Sequence, residues 1–220
     1  MESDKVIINV GIDKWYPKGS FRLKKSLKSN FDGKLLQWID VFPNDNFNGK
    51  TIYCVKASAM EEALKYRYKY LLWLDCSIWA TKDITPVFDL IQKHGYYAVN
   101  NGYNLAQTVS DSCLSFFGIT RDEAEKIPES TSCIFGIDLT KHMALAEMFI
   151  ESCKQGAADG SREHDNQSQD KRFLFHRQDQ SVWSLCLHKC GLKPYDDYGS
   201  IISYNVSKGD FDPIFLNNGM

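Results

Sequence analysis

At 220 residues, 43% apolar and 25% charged, the chain has the length and composition of one sizeable globular domain with a real core. A formal net charge of −2, with the lysines dispersed, gives no basic excess of the kind that binds nucleic acid. No stretch approaches the roughly 20 apolar residues that span a bilayer, and Met1-Glu2-Ser3-Asp4-Lys5 lacks the apolar run of a signal peptide.

Val6 to Val10 reads as a buried strand, and Gly11 after it allows a tight turn under a ligand. A loop from Ile12 to Ser20 carries Trp15, Tyr16, Pro17 and Gly19. Phe21 to Phe31 reads as a basic amphipathic helix capped by Ser20, with Lys24, Lys25 and Lys28 on a solvated face. Leu35 to Phe42 is a second strand, and Pro43 to Gly49 a polar loop. Lys56 to Tyr68 has Met60, Ala63 and Leu64 at helical spacing, with Ser58 as a cap.

Tyr70-Leu71-Leu72-Trp73-Leu74 then forms an apolar run that ends in Asp75-Cys76-Ser77. Such a run suits a strand buried on both faces of a parallel sheet. Ligands of open α/β sheets bind just beyond the carboxyl ends of these strands, where Asp75 and Ser77 fall.

Asp83 to His94 is a helix stopped by Gly95, and Tyr96 to Val99 a short strand. The Asn100-Asn101-Gly102 stretch that follows offers amides for sugar hydroxyls or an ordinary turn. A turn at Leu114 to Phe117 and a helix at Arg121 to Ile127 precede a strand at Ser132 to Asp138 and a helix at Thr140 to Lys154. Gly156 to Lys171 is polar and long, which suits an active-site loop or a disordered one. Asp179 to Cys190 is a helix closed by Gly191, and two short extended pieces follow. The alternation of strand and helix predicts one α/β domain with a mostly parallel sheet over 1–220.

The seven cysteines are an odd count in an ordinary core, which fits reduced thiols in a cytoplasmic compartment. Cys186, His188 and Cys190 have metal-like spacing, but no second cysteine pair follows, so they read as structural thiols.

Four features in order then carry a resemblance: the strand ending at Gly11 with Trp15 and Arg22 beyond it, Lys56, the Asp75-Cys76-Ser77 turn, and Phe175-His176-Arg177-Gln178-Asp179-Gln180-Ser181 before the last strong helix. From about Val6 to about Tyr195 the chain resembles the GT-A class of nucleotide-sugar-dependent glycosyltransferases, the nucleotide-diphospho-sugar transferase superfamily. That resemblance implies a single Rossmann-like α/β/α sandwich and transfer of a sugar from a nucleotide-diphosphate donor to a glycan or other hydroxyl acceptor. Gly11, Trp15, Arg22, Lys56, Asp75 and Ser77 are expected on the donor. Asp179 and Gln180 are expected at the reacting centre, with Asn100, Asn101, Asp138 and Arg177 on the sugar or acceptor side.

Asp75-Cys76-Ser77 stands in the place of the family's D-x-D, which holds Mn²⁺ or Mg²⁺ on the diphosphate. The second carboxylate is a hydroxyl here, so the expected ligands are Asp75, Ser77 and, as compensation, His176. The segment His188 to Tyr195 is one residue short of an H-x-x-G-x-x-K-P-W signature and leaves stereochemistry open. An aspartyl-nucleophile phosphatase would need a second Asp where Ser77 stands. A non-catalytic nucleotide- or sugar-binding module with the same fold is the other alternative.

Overall fold

The computed structural model describes residues 3–160, 168–196, 200–204 and 212–217. Its central sheet has five strands in the order β2-β1-β3-β8-β5: β1 (Lys5–Gly11), β2 (Lys34–Ile39), β3 (Tyr70–Leu74), β5 (Tyr96–Tyr97) and β8 (Ile134–Asp138). β1 pairs in parallel with both β2 and β3, whereas β8 runs antiparallel to β3 and β5. Four strands therefore point one way and only β8 reverses, giving the mostly parallel α/β sheet that the alternating pattern predicts.

The near-continuous apolar runs are explained by helices on both faces. Val6, Ile8, Leu71, Trp73 and Phe135 pack on one side against α2 (Val55–Leu64), α7 (Met143–Lys154) and α8 (Asp179–Lys189). Ile7, Leu72, Leu74 and Ile134 pack on the other against α1 (Tyr16–Leu27) and α3 (Thr85–His94). Successive strand residues alternate between the two cores, as the period of two requires. Beside the sheet, β4 (Ile78–Ala80) joins β9 (Ile202–Ser203) and β10 (Phe215–Asn217) in a three-stranded sheet. β6 (Asn100–Asn104) pairs with β7 (Pro128–Ser130) around the short helices α4 (Leu105–Thr108), α5 (Asp111–Phe116) and α6 (Arg121–Ala124). Among the described residues, no helix is long and apolar enough to cross a membrane.

Several local expectations are corrected. α1 starts at Tyr16, with Trp15 at its N-cap and Pro17 in the first turn. Pro fits there because its missing N–H would have no helical partner anyway. Ser20 is therefore a buried residue inside the helix. Ser58 likewise sits inside α2, its hydroxyl accepting from the Asn44 N–H at 3.0 Å. Asn100 to Asn104 is a strand, although Gly102 keeps the positive φ, 88°, of a turn residue. Gly95 does stop α3, at φ 87°. Residues 161–167 of the expected polar loop lie outside the described residues.

Candidate functional site

One cleft of about 630 Å³ opens where the carboxyl ends of β1 and β3 meet the entrance of β8 and the amino end of α8. Lys14, Lys56, Asp75, Ser77, Arg177 and Asp179 carry its polar chemistry, and Tyr16, Tyr53, Trp73 and Tyr204 supply aromatic surface. The reversal of β8 matters here. It brings Thr131, Ser132 and Cys133, the residues that lead into that strand, against the exit of β3. The Asp75 N–H donates to the Cys133 carbonyl at 2.8 Å, so the turn continues the sheet's hydrogen bonding.

The floor is built from buried polar contacts. Asn9, fully buried in β1, donates to the Leu74 carbonyl at 2.8 Å and accepts from Gln37 at 2.9 Å, tying three strands together. The Cys76 thiol points down and donates to the Val10 carbonyl at 2.9 Å, with Ser20 Oγ at 3.2 Å. Burial pushes that thiol's pKa up, which favours the protonated form that donates to the Val10 carbonyl. Gly11 has a different purpose from the ligand turn expected of it. A Cβ there would press on Ser20 Oγ and lie 2.9 Å from the Tyr16 carbonyl oxygen. The glycine lets α1 approach β1.

Above this floor lies the central feature, a buried ammonium shared by two carboxylates. Lys56 Nζ sits 2.7 Å from Asp179 Oδ2 and 3.3 Å from Asp75 Oδ1. It also donates to the Ser132 carbonyl and hydroxyl, both at 2.8 Å. An ammonium has three protons, and here four acceptors surround it. Burial alone would lower the Lys56 pKa, but Asp179 and then Asp75 outweigh it and hold it above its ordinary value. The ammonium is therefore charged at any physiological pH.

Asp75 is pushed upward by burial, against the pull of Lys56. Its Oδ1 also accepts from the Trp73 indole N–H at 2.7 Å. Its side chain nevertheless keeps 30% of its surface exposed, toward the cleft. Asp179 opens α8, where the helix's unpaired N–H groups favour a carboxylate. The residue before it, Gln178, is buried at φ 41°. That conformation is strained for a residue with a side chain and fixes how α8 enters the cleft.

Of the residues expected at the site, Lys56, Asp75, Ser77, Arg177, Asp179 and Gln180 are brought together here. Arg22 lies beneath: it donates to the Ser77 carbonyl at 2.9 Å and stacks 4.2 Å from the Trp79 ring, so it braces the turn from behind. Trp15 stacks on Tyr16 at 4.3 Å and holds that ring at the cleft edge. Asp138 pairs with Tyr70, at the amino end of β3, and so lies at the opposite end of the sheet. It accepts from Thr140 at 2.6 Å and is 3.4 Å from Lys141. Asn100 donates to Asp196 at 2.7 Å, away from the cleft. His176 is fully buried with Nδ1 accepting from the Ser110 N–H at 3.1 Å, which sets the approach to α8.

Three participants carry no local sequence signal: Ser132, Trp73 through its N–H, and Glu129. Glu129 is fully buried, bonded to Asn101 Nδ2, and faces Thr108 and Gln180. Gln180 Oε1 in turn accepts from the Ser132 N–H at 3.2 Å. Asn101 thus reaches the site only through Glu129. Burial raises the Glu129 carboxyl above the usual glutamate range.

Mn²⁺ or Mg²⁺ calls for several hard oxygen ligands facing one point. Asp75 and Asp179 instead face one ammonium, and His176 is turned away. Among the described residues no group of three or more His, Cys, Asp or Glu side chains forms a ligand set. In this arrangement Lys56 Nζ occupies the point that Asp75 and Asp179 both face.

No protein-family model matches the chain, and no curated protein is similar to it.

Proposed function

We propose that the chain is a glycosyltransferase that moves a sugar, a hexose or a relative, from a nucleotide-diphosphate donor to a hydroxyl acceptor. The observation that carries this reading is the charge arrangement of the cleft. Asp75 and Asp179 share the buried Lys56, and Lys14 and Arg177 are the further cations on the wall. An anionic ligand thus meets positive groups at the carboxyl ends of β1 and β3, where α/β sheets bind ligands. The aromatic rings of Tyr16, Tyr53 and Tyr204 offer faces for a base or a pyranose.

In the proposed reaction the acceptor oxygen bonds to the sugar's anomeric carbon as the bond from that carbon to the diphosphate breaks. Asp179 takes the hydroxyl proton. The charge that accumulates on the departing diphosphate is met by Lys14 and Arg177. Lys56 holds the two carboxylates in place and offsets one of their two negative charges.

One observation favours a second reading, a nucleotide- or sugar-binding module. Asp179 Oδ2 is already engaged by Lys56 and, at 3.4 Å, by Ser132 Oγ, which reduces its capacity as a base. The experiment is incubation with UDP-, GDP- and other nucleotide sugars, with and without Mn²⁺, while released nucleotide diphosphate is measured. Release that Asp75→Ala suppresses supports the transferase. Binding without turnover under any acceptor supports the module, and absence of binding removes both.

A further inference from the structure

α1 presents an outward face that the cleft does not use. No acidic residue occurs from Lys14 to Phe31, and the nearest acids, Asp13 and Asp32, lie beyond the two ends of the helix. Lys18, Phe21, Lys25 and Lys28 follow one another at spacings of three, four and three, which places them on one stripe. The opposite side, with Leu23 and Leu27, is buried in the core. At the centre of the lysine stripe Phe21 is 59% exposed. A large apolar ring is thus left mostly in water among cations. Among the described residues none of these lysines forms an ion pair.

We propose that this face of α1 docks on an anionic bilayer surface, with the lysines at the headgroups and Phe21 inserted at the acyl boundary. Charge complementarity and the ring both point to this occupant. Lysines near an anionic leaflet are each attracted to it, and an aromatic ring adds apolar area at the interface. A polyanion such as nucleic acid or an acidic polysaccharide would use the lysines but would leave Phe21 in water. The helix is too short and too polar to insert alone, so the association is peripheral and reversible.

The test is co-sedimentation of the full chain with vesicles of phosphatidylcholine alone and with one third phosphatidylserine. The expected result is binding to the anionic vesicles only, weakened by salt. Lys25→Glu with Lys28→Glu should weaken it at least about 30-fold, from two lysine attractions. Phe21→Ser should weaken it about tenfold through lost apolar burial. All three positions are exposed, and circular dichroism checks that the variants fold. No binding, or equal binding to neutral vesicles, overturns the proposal. So does loss in the lysine variant with full retention in Phe21→Ser, combined with capture on heparin or DNA, because that pattern belongs to a polyanion.

Discussion

Replacing Lys56 with Met should separate electrostatics from packing at the site, because methionine keeps most of the apolar stem and removes only the charge. Both carboxylate oxygens touch the same nitrogen, at 3.3 and 2.7 Å. They therefore lie within about 6 Å of each other, where two unit charges at an effective dielectric of about 20 repel by about 3 kcal/mol. Removing one member of a buried ionic group typically costs about 3–5 kcal/mol, and the partial exposure of Asp75 places this case at the lower end. For a chain of this length that lowers the melting temperature by roughly 10 °C.

The loss should depend on pH in a defined direction. Without Lys56 the mutual repulsion of the two carboxylates raises the pH at which one of them takes up a proton above its unfolded value. A raised folded-state pKa stabilises below the unfolded pKa and loses that contribution as pH rises through the folded one. Lys56→Met should therefore regain stability on acidification from neutrality toward the ordinary carboxylate range. Urea unfolding of both proteins across that range measures it, and adding Asp75→Asn should restore part of the loss at neutral pH. If Lys56→Met matches the parent at neutral pH, or Asp75→Asn leaves it unimproved, the shared-ammonium account is refuted.

Under the proposed activity, Asp179→Asn should lower kcat by about 100-fold or more, the usual scale for a lost general base, while nucleotide binding followed by calorimetry changes little. Glu129 and Asp75 both have raised folded-state pKa values, so each contributes stability on the acid side that fades as pH rises. Glu129→Gln should flatten that part of the stability profile measured by thermal unfolding against pH. It should also lower kcat more than it alters KM, by letting Gln180 shift. Gly19→Ala would drive a Cβ into the Cys76 carbonyl oxygen. It should cost about 1–3 kcal/mol as an overpacked contact, with weaker ligand binding as the turn after Asp75 is displaced. Unchanged melting and binding would show that α1 yields easily.

The part of the fold that was legible in the sequence is the part dictated locally. β3 reads clearly because helices on both faces leave no room for a polar residue before Asp75. α3 ends where Gly95 can take a positive φ. What failed depended on distant contacts. Ser20 looks like a cap, but Pro17 moves the helix start back to Tyr16 and turns the serine toward Cys76. The direction of β8 has no signature, since a doubly buried strand is apolar whichever way it runs, and Asp138 was therefore expected at the wrong end of the sheet. Lys56, Asp75 and Asp179 each stood out alone. Their meeting at one nitrogen depends on α2, β3 and α8 packing together, which no short window contains. Glu129 gave no signal because its partners come from β6, α4 and α8.

Because β8 enters the sheet at the cleft, the segment that leads into it, Thr131 to Cys133, forms a wall of the cavity and is joined to the exit of β3 through the Asp75 N–H and the Cys133 carbonyl. Ser132 reaches Lys56 partly through its main-chain carbonyl, so that grip survives replacement of its hydroxyl. The wall of the cavity and the foundation beneath Asp75 are therefore joined by one hydrogen bond between main chains.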